Sequence, residues 1–230
     1  MKRSRSSQLS PIRPGVVWGS ACAERPDLEF EGCDHDLAVV VGDRPGVLVA
    51  WRPTPDSDLA RALGIGASGE RRGVALAVDL LRITATTGSD PTTGTGFHAV
   101  AVNAVVVGRA PDRVAAWTRA RMPLPTGPAW AAVVANGQFL RGFDLVPRGH
   151  PGDGRAEFQA YGVAAGQRRE MRRRMRSGTH VPHPRIAERS VRAITIDAGR
   201  PLPIEADGVP VGVAATVTVT VEPGAFRLLV

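Results

Sequence analysis

Lysine is almost missing from this chain: Lys2 is the only one, and the positive charge rests on arginine. The 230 residues carry a formal charge of +7 and a pI near 10.9, which favours anionic partners such as nucleic acid, phospholipid headgroups or nucleotides. Alanine, glycine, valine and proline are abundant beside the arginine, so this charge reflects a biased composition as much as a selected surface. Aromatics make up only 5%, with Tyr161 the sole tyrosine, which argues against the aromatic platforms that bind single-stranded nucleic acid. Cys22 and Cys33 are too few for a disulfide scaffold and lack the paired spacing of a zinc site, so reduced thiols in a cytoplasm are expected. No apolar run reaches the roughly 18–20 residues that span a bilayer, and the basic start MKRSRSSQLSPIRPG has no apolar signal core. The expectation is a soluble or peripheral cytoplasmic protein.

Apolar residues at 43% and charged residues at 22% are ordinary globular usage, enough for one large or two small domains. Residues 1–15 read as a disordered arm rich in Ser, Arg and Pro. LAVVVG (37–42) and GVLVAW (46–51) read as strands buried on both faces. Only DRP separates them, too short for a parallel crossover, so either the pair is antiparallel or a helix has been lost. In WRPTPDSDLARALG (51–64), Asp56, Ser57 and Asp58 can cap a helix over 57–64 that Gly64 stops; the same stretch can also be read as a worn ligand loop. From residue 73 onward, short strands alternate with Gly, Pro and Asp turns, which predicts an antiparallel sandwich or barrel interrupted by helices at 110–122 and 167–176.

Three stretches invite a chemical reading. TTGSDPTTGTG (86–96) is glycine-rich but lacks the Gly-Lys-Ser/Thr ending of a phosphate loop, and reads as a hairpin loop. His180 and His183 with His150 suggest a metal, yet no carboxylate stands at ligand spacing. QRREMRRRMR (167–176) places Arg168, Arg172 and Arg176 on one helical face with Arg169 and Arg173 alongside: a candidate surface for anionic lipid, or a solvated face.

Further along, DLARALG (58–64), NAVVVG (103–108), VVANGQFLRGFDLVPRGHPGDGRAEF (133–158), SGTHVPHPRI (177–186) and IEADGVPVG with VTVTVEPGAFRLLV (204–230) follow in an order that resembles diacylglycerol kinases and related bacterial lipid kinases. The resemblance implies a reduced, NAD-kinase-like α/β nucleotide-binding domain over 16–72, then an antiparallel β-sandwich over 73–230. It implies Mg²⁺ and ATP as cofactors, with a lipid hydroxyl attacking the γ-phosphate. Gly42 and Asp43 of GDRPG would stand for the family's Gly-Gly-Asp-Gly-Thr loop, and Ser57 and Asp58 for its Asn-Asp pair. Asp207 begins the turn that in the family is Asp-Gly-Glu and supplies the catalytic base, but Val209 replaces the glutamate; Glu205 is a candidate rescue. Asp153 corresponds to an acidic residue associated with a structural Mg²⁺. Pro53, Pro55 and Asp56 stand where a phosphate loop needs backbone N–H donors, so the resemblance implies a kinase degenerate in its nucleotide and base motifs. Expected partners are anionic phospholipid or a lipid alcohol, with a protein partner or a second copy open and nucleic acid ranked last.

Overall fold

The computed structural model describes residues 19–65, 73–87, 95–114, 122–125 and 127–230. The arm expected at 1–15 lies outside them, and the boundary expected between 72 and 73 falls at the edge of the undescribed stretch 66–72. In chain order the first strands are β1 (Ser20–Ala21), β2 (Leu28–Gly32), β3 (Leu48–Pro53), β4 (Val74–Thr86), β5 (Gly96–Ala101), β6 (Ala104–Gly108), β7 (Met122–Leu124) and β8 (Gly127–Ala129). They continue as β9 (Ala131–Ala135), β10 (Phe139–Leu140), β11 (Phe143–Asp144), β12 (Ala156–Tyr161), β13 (Ile186–Val191), β14 (Ala193–Ala206) and β15 (Val209–Leu229). The helices are α1 (Asp34–Gly42), α2 (Asp58–Leu63) and α3 (Arg168–Met175).

One 11-stranded sheet runs β1-β4-β15-β14-β6-β9-β12-β13, with β5 on β4 and with β3 and β2 branching from β15. The sheet curls so that β4, β14 and β15 face β6, β9, β12 and β13 across a core of Leu81, Ile83, Val105, Val134, Phe158, Ile204 and Val217. This is the expected antiparallel sandwich, and its strands follow the apolar runs after residue 73. FHAVAVNAVVVG divides into β5 and β6 at Val102-Asn103.

The N-terminal part needs a correction. LAVVVG is not a strand: residues 37–42 belong to α1. The helix starts from Cys33, whose N–H meets the Asp36 carboxylate at 3.4 Å, and Asp34 and Asp36 lie at the positive end of its dipole. Helical spacing buries Leu37, Ala38 and Val41 on one side and leaves Val39 58% exposed on the other. The missing crossover is therefore present. β2, which the sequence reading passed over, runs parallel to β3 with α1 between them, and β3 runs parallel to β15. A single βαβ unit remains of the α/β part, and it is stitched into the same sheet as the sandwich.

A helix over 110–122 is also corrected in part. Pro111–Arg113 forms one 3-10 turn and Met122 opens β7, while 115–121 lie outside the described residues. The hairpin reading of 86–96 fits the ends it joins, since Thr86 pairs with Gly96; residues 88–94 lie outside the described residues. The helix expected at 167–176 is α3.

Candidate functional site

The stretch WRPTPDSDLARALG folds as a capped helix after β3. Ser57 is the N-cap and its Oγ accepts from the Ala60 N–H at 2.9 Å; Gly64 closes α2 in the left-handed region at φ 68°. A second cap comes from far away in sequence. Asp34, at the start of α1, accepts the Ser57 hydroxyl and the N–H groups of Asp58 (3.1 Å) and Leu59 (3.0 Å). Asp58 is thereby free to face the other way, where its carboxylate accepts the N–H groups of Arg141 and Gly142.

Arg141 is itself unusual, a non-glycine residue at φ 48°. Its guanidinium binds Asp112 through Nε (2.8 Å) and Nη2 (2.5 Å), and Glu205 through Nη1 (2.9 Å). Asp207, at φ 50° in the turn before Gly208, accepts three backbone N–H groups from Val102, Asn103 and Ala104 at 2.8–2.9 Å. Asn103 in turn fixes the neighbouring corner, where a Cβ on Gly137 would run into its Oδ1. The junction of α2, the 139–144 hairpin and the β14–β15 turn thus gathers carboxylates that all have internal donors.

Burial dominates their electrostatics. Loss of hydration raises the pKa of Asp34, opposed by bonds from Ser57 and Leu59 and reinforced by the Asp58 charge. The same cause raises Asp58, opposed by the Gly142 and Arg141 N–H groups. Asp207 is pushed up to about 7 by desolvation and by the charge of Asp34, against the pull of its three N–H donors.

Gly42 and Asp43 lie at the far end of α1 from Asp34. Gly42 ends α1 and Asp43 is its exposed C-cap, so GDRPG follows a helix rather than a strand. The strand–turn–helix position that the resemblance gives to the Gly-Gly-Asp-Gly-Thr loop is occupied by Gly32-Cys33-Asp34, which joins β2 to α1. Asp34 is the acidic residue the sequence reading missed, because the run after it was read as a strand. The first amides of α2, those of Asp58 and Leu59, already serve the Asp34 carboxylate.

Asp153 stands elsewhere, in a turn where its Oδ1 accepts the Arg155 N–H at 2.9 Å. Beside it Asp79, 1% exposed within β4, accepts the N–H groups of Gly154 and Gly224, both at 2.7 Å. Desolvation lifts Asp79 to about 6. Among the described residues no three His, Cys, Asp or Glu side chains are grouped to hold a metal ion. His180 is a core residue, 2% exposed and stacked 6.4 Å from the Tyr161 ring, with its pKa lowered to about 4 by burial.

The arginine face also needs redrawing. Arg168 turns inward at 8% exposure, its guanidinium 5.2 Å from the centroid of Trp130 and donating to the Val163 carbonyl. Arg172 is half-buried and donates to the Val114 carbonyl. Met171 and Met175 anchor α3 in the core, and that fixes which side faces out. Arg169, Arg173, Arg174 and Arg176 are the exposed ones, and Glu170 pairs with Arg173 (2.6 Å) and Arg174 (2.9 Å).

Comparison with known proteins agrees with the order of motifs. No curated protein matches the chain. Among solved structures it is similar to a diacylglycerol kinase from Bacillus anthracis str. Sterne, with a TM-score of 0.63 and 16% identity over 88% of this chain and 76% of that one. A second, putative diacylglycerol kinase of the same strain gives a TM-score of 0.60 and 14% identity over 88% and 78%. At such identities the likeness establishes the fold, an α/β part with a β-sandwich. The family model described as the YegS C-terminal NAD kinase beta sandwich-like domain matches residues 96–230, more than half of the sequence. The chain belongs to the family of the YegS C-terminal NAD kinase beta sandwich-like domain.

Proposed function

We propose that this chain is a diacylglycerol-kinase-like protein with degenerate nucleotide and base motifs, which associates with anionic lipid and transfers phosphate slowly or not at all. The observation that carries this reading is the pairing of the carboxylates gathered around α2 and the β14–β15 turn. Asp34, Asp58, Asp207 and Glu205 all accept hydrogen bonds from the protein itself, leaving neither a free base nor free α2 amides for phosphate. Losing a base removes about 10²–10⁴-fold in rate and losing phosphate donors about 10²–10³-fold more, so a turnover near 10 s⁻¹ falls to between about four per hour and about one in ten days.

The exposed arginines of α3 supply the lipid side of the proposal. They sit on a helix whose apolar side is committed to the core, so the contact is with headgroups rather than acyl chains. An active lipid kinase is the second reading, and Asp207 favours it: a carboxyl poised at about 7 beside Asp34 is the kind of group that exchanges protons at neutral pH. Calorimetric titration with Mg-ATP, together with a phosphorylation assay on diacylglycerol in mixed micelles, separates the two. Silence in both supports the degenerate protein; saturable binding with steady product formation supports the kinase.

A further inference from the structure

A cavity of about 200 Å³ lies between the β7–β8 hairpin, the end of β12 and the start of β13. Neither α1, α3 nor the β14–β15 turn supplies a residue to it. Small residues make the hollow. Ala129, Ala160 and Ala187 line it where longer side chains would fill it, and a Cβ on Gly127, at φ 108°, would stand in open space. Gly162 is there for a different reason, since a Cβ on it would lie 2.8 Å from the Pro128 carbonyl oxygen.

Most polar groups around the hollow are already committed. Pro128 and Pro184 have no N–H. The Gly162 N–H donates to the Arg185 carbonyl at 2.8 Å, the Ile186 N–H to the His183 carbonyl at 2.9 Å, and the Arg185 N–H to His183 Nδ1 at 3.0 Å. Two groups are left over. One is the guanidinium of Arg185, the only charged residue of the lining, which is exposed and paired with no carboxylate among the described residues. The other is the Pro128 carbonyl. Pro128 faces Pro123 across the hairpin, and two prolines cannot exchange ladder bonds, so this carbonyl points away from β7 and towards Gly162. The lining thus offers one unpaired cation and one uncommitted acceptor.

Size and charge narrow the ligand. The volume is the liquid share of about six or seven waters, so it takes an acid of only a few carbons. One guanidinium balances one negative charge, and its planar fork matches a carboxylate through two parallel bonds; a phosphate dianion would leave a charge facing the Pro128 carbonyl. We infer that this cavity binds a small hydroxylated carboxylate, with the carboxylate on Arg185 and a hydroxyl donating to the Pro128 carbonyl. The site shares no residue with the carboxylates around α2 or with the arginines of α3, so it stands whether or not the chain binds nucleotide or lipid.

A ligand-observed NMR titration of the full chain with glycerate at low salt tests it, with propionate, glycerol and glycerol 3-phosphate as comparisons. The expected result is saturable one-site binding of glycerate at about millimolar affinity, about 5-fold weaker binding of propionate for want of the hydroxyl, and none of glycerol. Arg185→Gln, at an exposed position, weakens glycerate binding by at least about 10-fold, and Ala187→Leu, which narrows the hollow without changing its charge, does the same. Arg189→Gln, an exposed arginine outside the lining, leaves it unchanged. If Ala187→Leu fails to fold, Arg185→Gln alone carries the test. Unsaturable binding, glycerol 3-phosphate bound as tightly as glycerate, propionate bound equally well, or an equal loss in Arg189→Gln overturns the proposal.

Discussion

Asp34 joins two elements that the sequence places 23 residues apart, and its three bonds to Ser57, Asp58 and Leu59 set the entry of α2. Removing a buried charged acceptor of this kind costs about 2–3 kcal/mol, and a helix cap alone about 1 kcal/mol. Asp34→Ala is therefore expected to lower the urea midpoint more than Ser57→Ala. The double variant should lose less than the sum, because the two side chains share a bond. A strictly additive cycle would show that the pair does not act together. Asp79 and Asp207 give a second expectation, in pH. They hold their protons up to about 6 and about 7, above the roughly 3.9 of an unfolded aspartate. Between those values the folded chain binds more protons than the unfolded one, so their contribution is complete below about pH 4 and is lost as pH rises towards 7. Urea unfolding at pH 5 and pH 8 should show the wild type weaker at pH 8. Asp79→Asn should remove part of that slope, about 1 kcal/mol between the two pH values, while lowering stability at pH 5. Ser57, Asp58 and Asp207 stand out in the sequence through their motifs. Asp34, Asp112 and Arg141 do not, since their hydrogen bonds arise only when distant segments meet. Asp79 left a faint trace, a lone carboxylate in the apolar run VALAVDLL.

Helix α3 shows how an element can be read correctly and its face wrongly. Helical spacing groups Arg168, Arg172 and Arg176, but the two methionines decide orientation, and burying Met171 and Met175 carries Arg168 inward against Trp130. The exposed set is Arg169, Arg173, Arg174 and Arg176. Near an anionic surface each such charge contributes about 1 kcal/mol, so Arg169→Gln with Arg173→Gln and Arg176→Gln should weaken sedimentation with phosphatidylserine vesicles by about 100-fold at low salt. Arg168→Gln should instead lower thermal stability, through its lost packing on Trp130, and leave vesicle binding nearly intact. Vesicle binding that ignores the triple change would remove lipid association through α3. For α1 the failure was of another kind. LAVVVG has strand composition, and only its contact with the sheet and the caps before it select a helix, a tertiary decision that a local apolar run does not record.

Across the whole molecule, the sandwich was readable because its strands are apolar runs punctuated by Gly, Pro and Asp, and because motif order survives where individual motifs have changed. The seam between the two parts was not readable, since it depends on one strand. β15 is 21 residues long, pairs with β14 and β4 inside the sandwich, and near its end runs parallel to β3 at Arg227–Leu48 and Leu228–Val49. The core around α1 likewise mixes Leu37 and Trp51 from the N-terminal part with Leu80, Phe226 and Leu228 from the sandwich strands. A βαβ unit of this size buries too little of its own surface to fold alone. We therefore propose that the regions 16–72 and 73–230 are one cooperative unit rather than two independently stable domains. Trp51 sits in the first and Trp130 in the second, both buried, so each reports locally. In variants in which every tryptophan but one is changed to Phe, urea unfolding followed through Trp51 and through Trp130 should each coincide with far-UV circular dichroism measured on the same variant. A Trp51 transition well below the dichroism midpoint would show that the N-terminal part opens first, as a separate and weaker unit, and that the seam on β15 does not couple them.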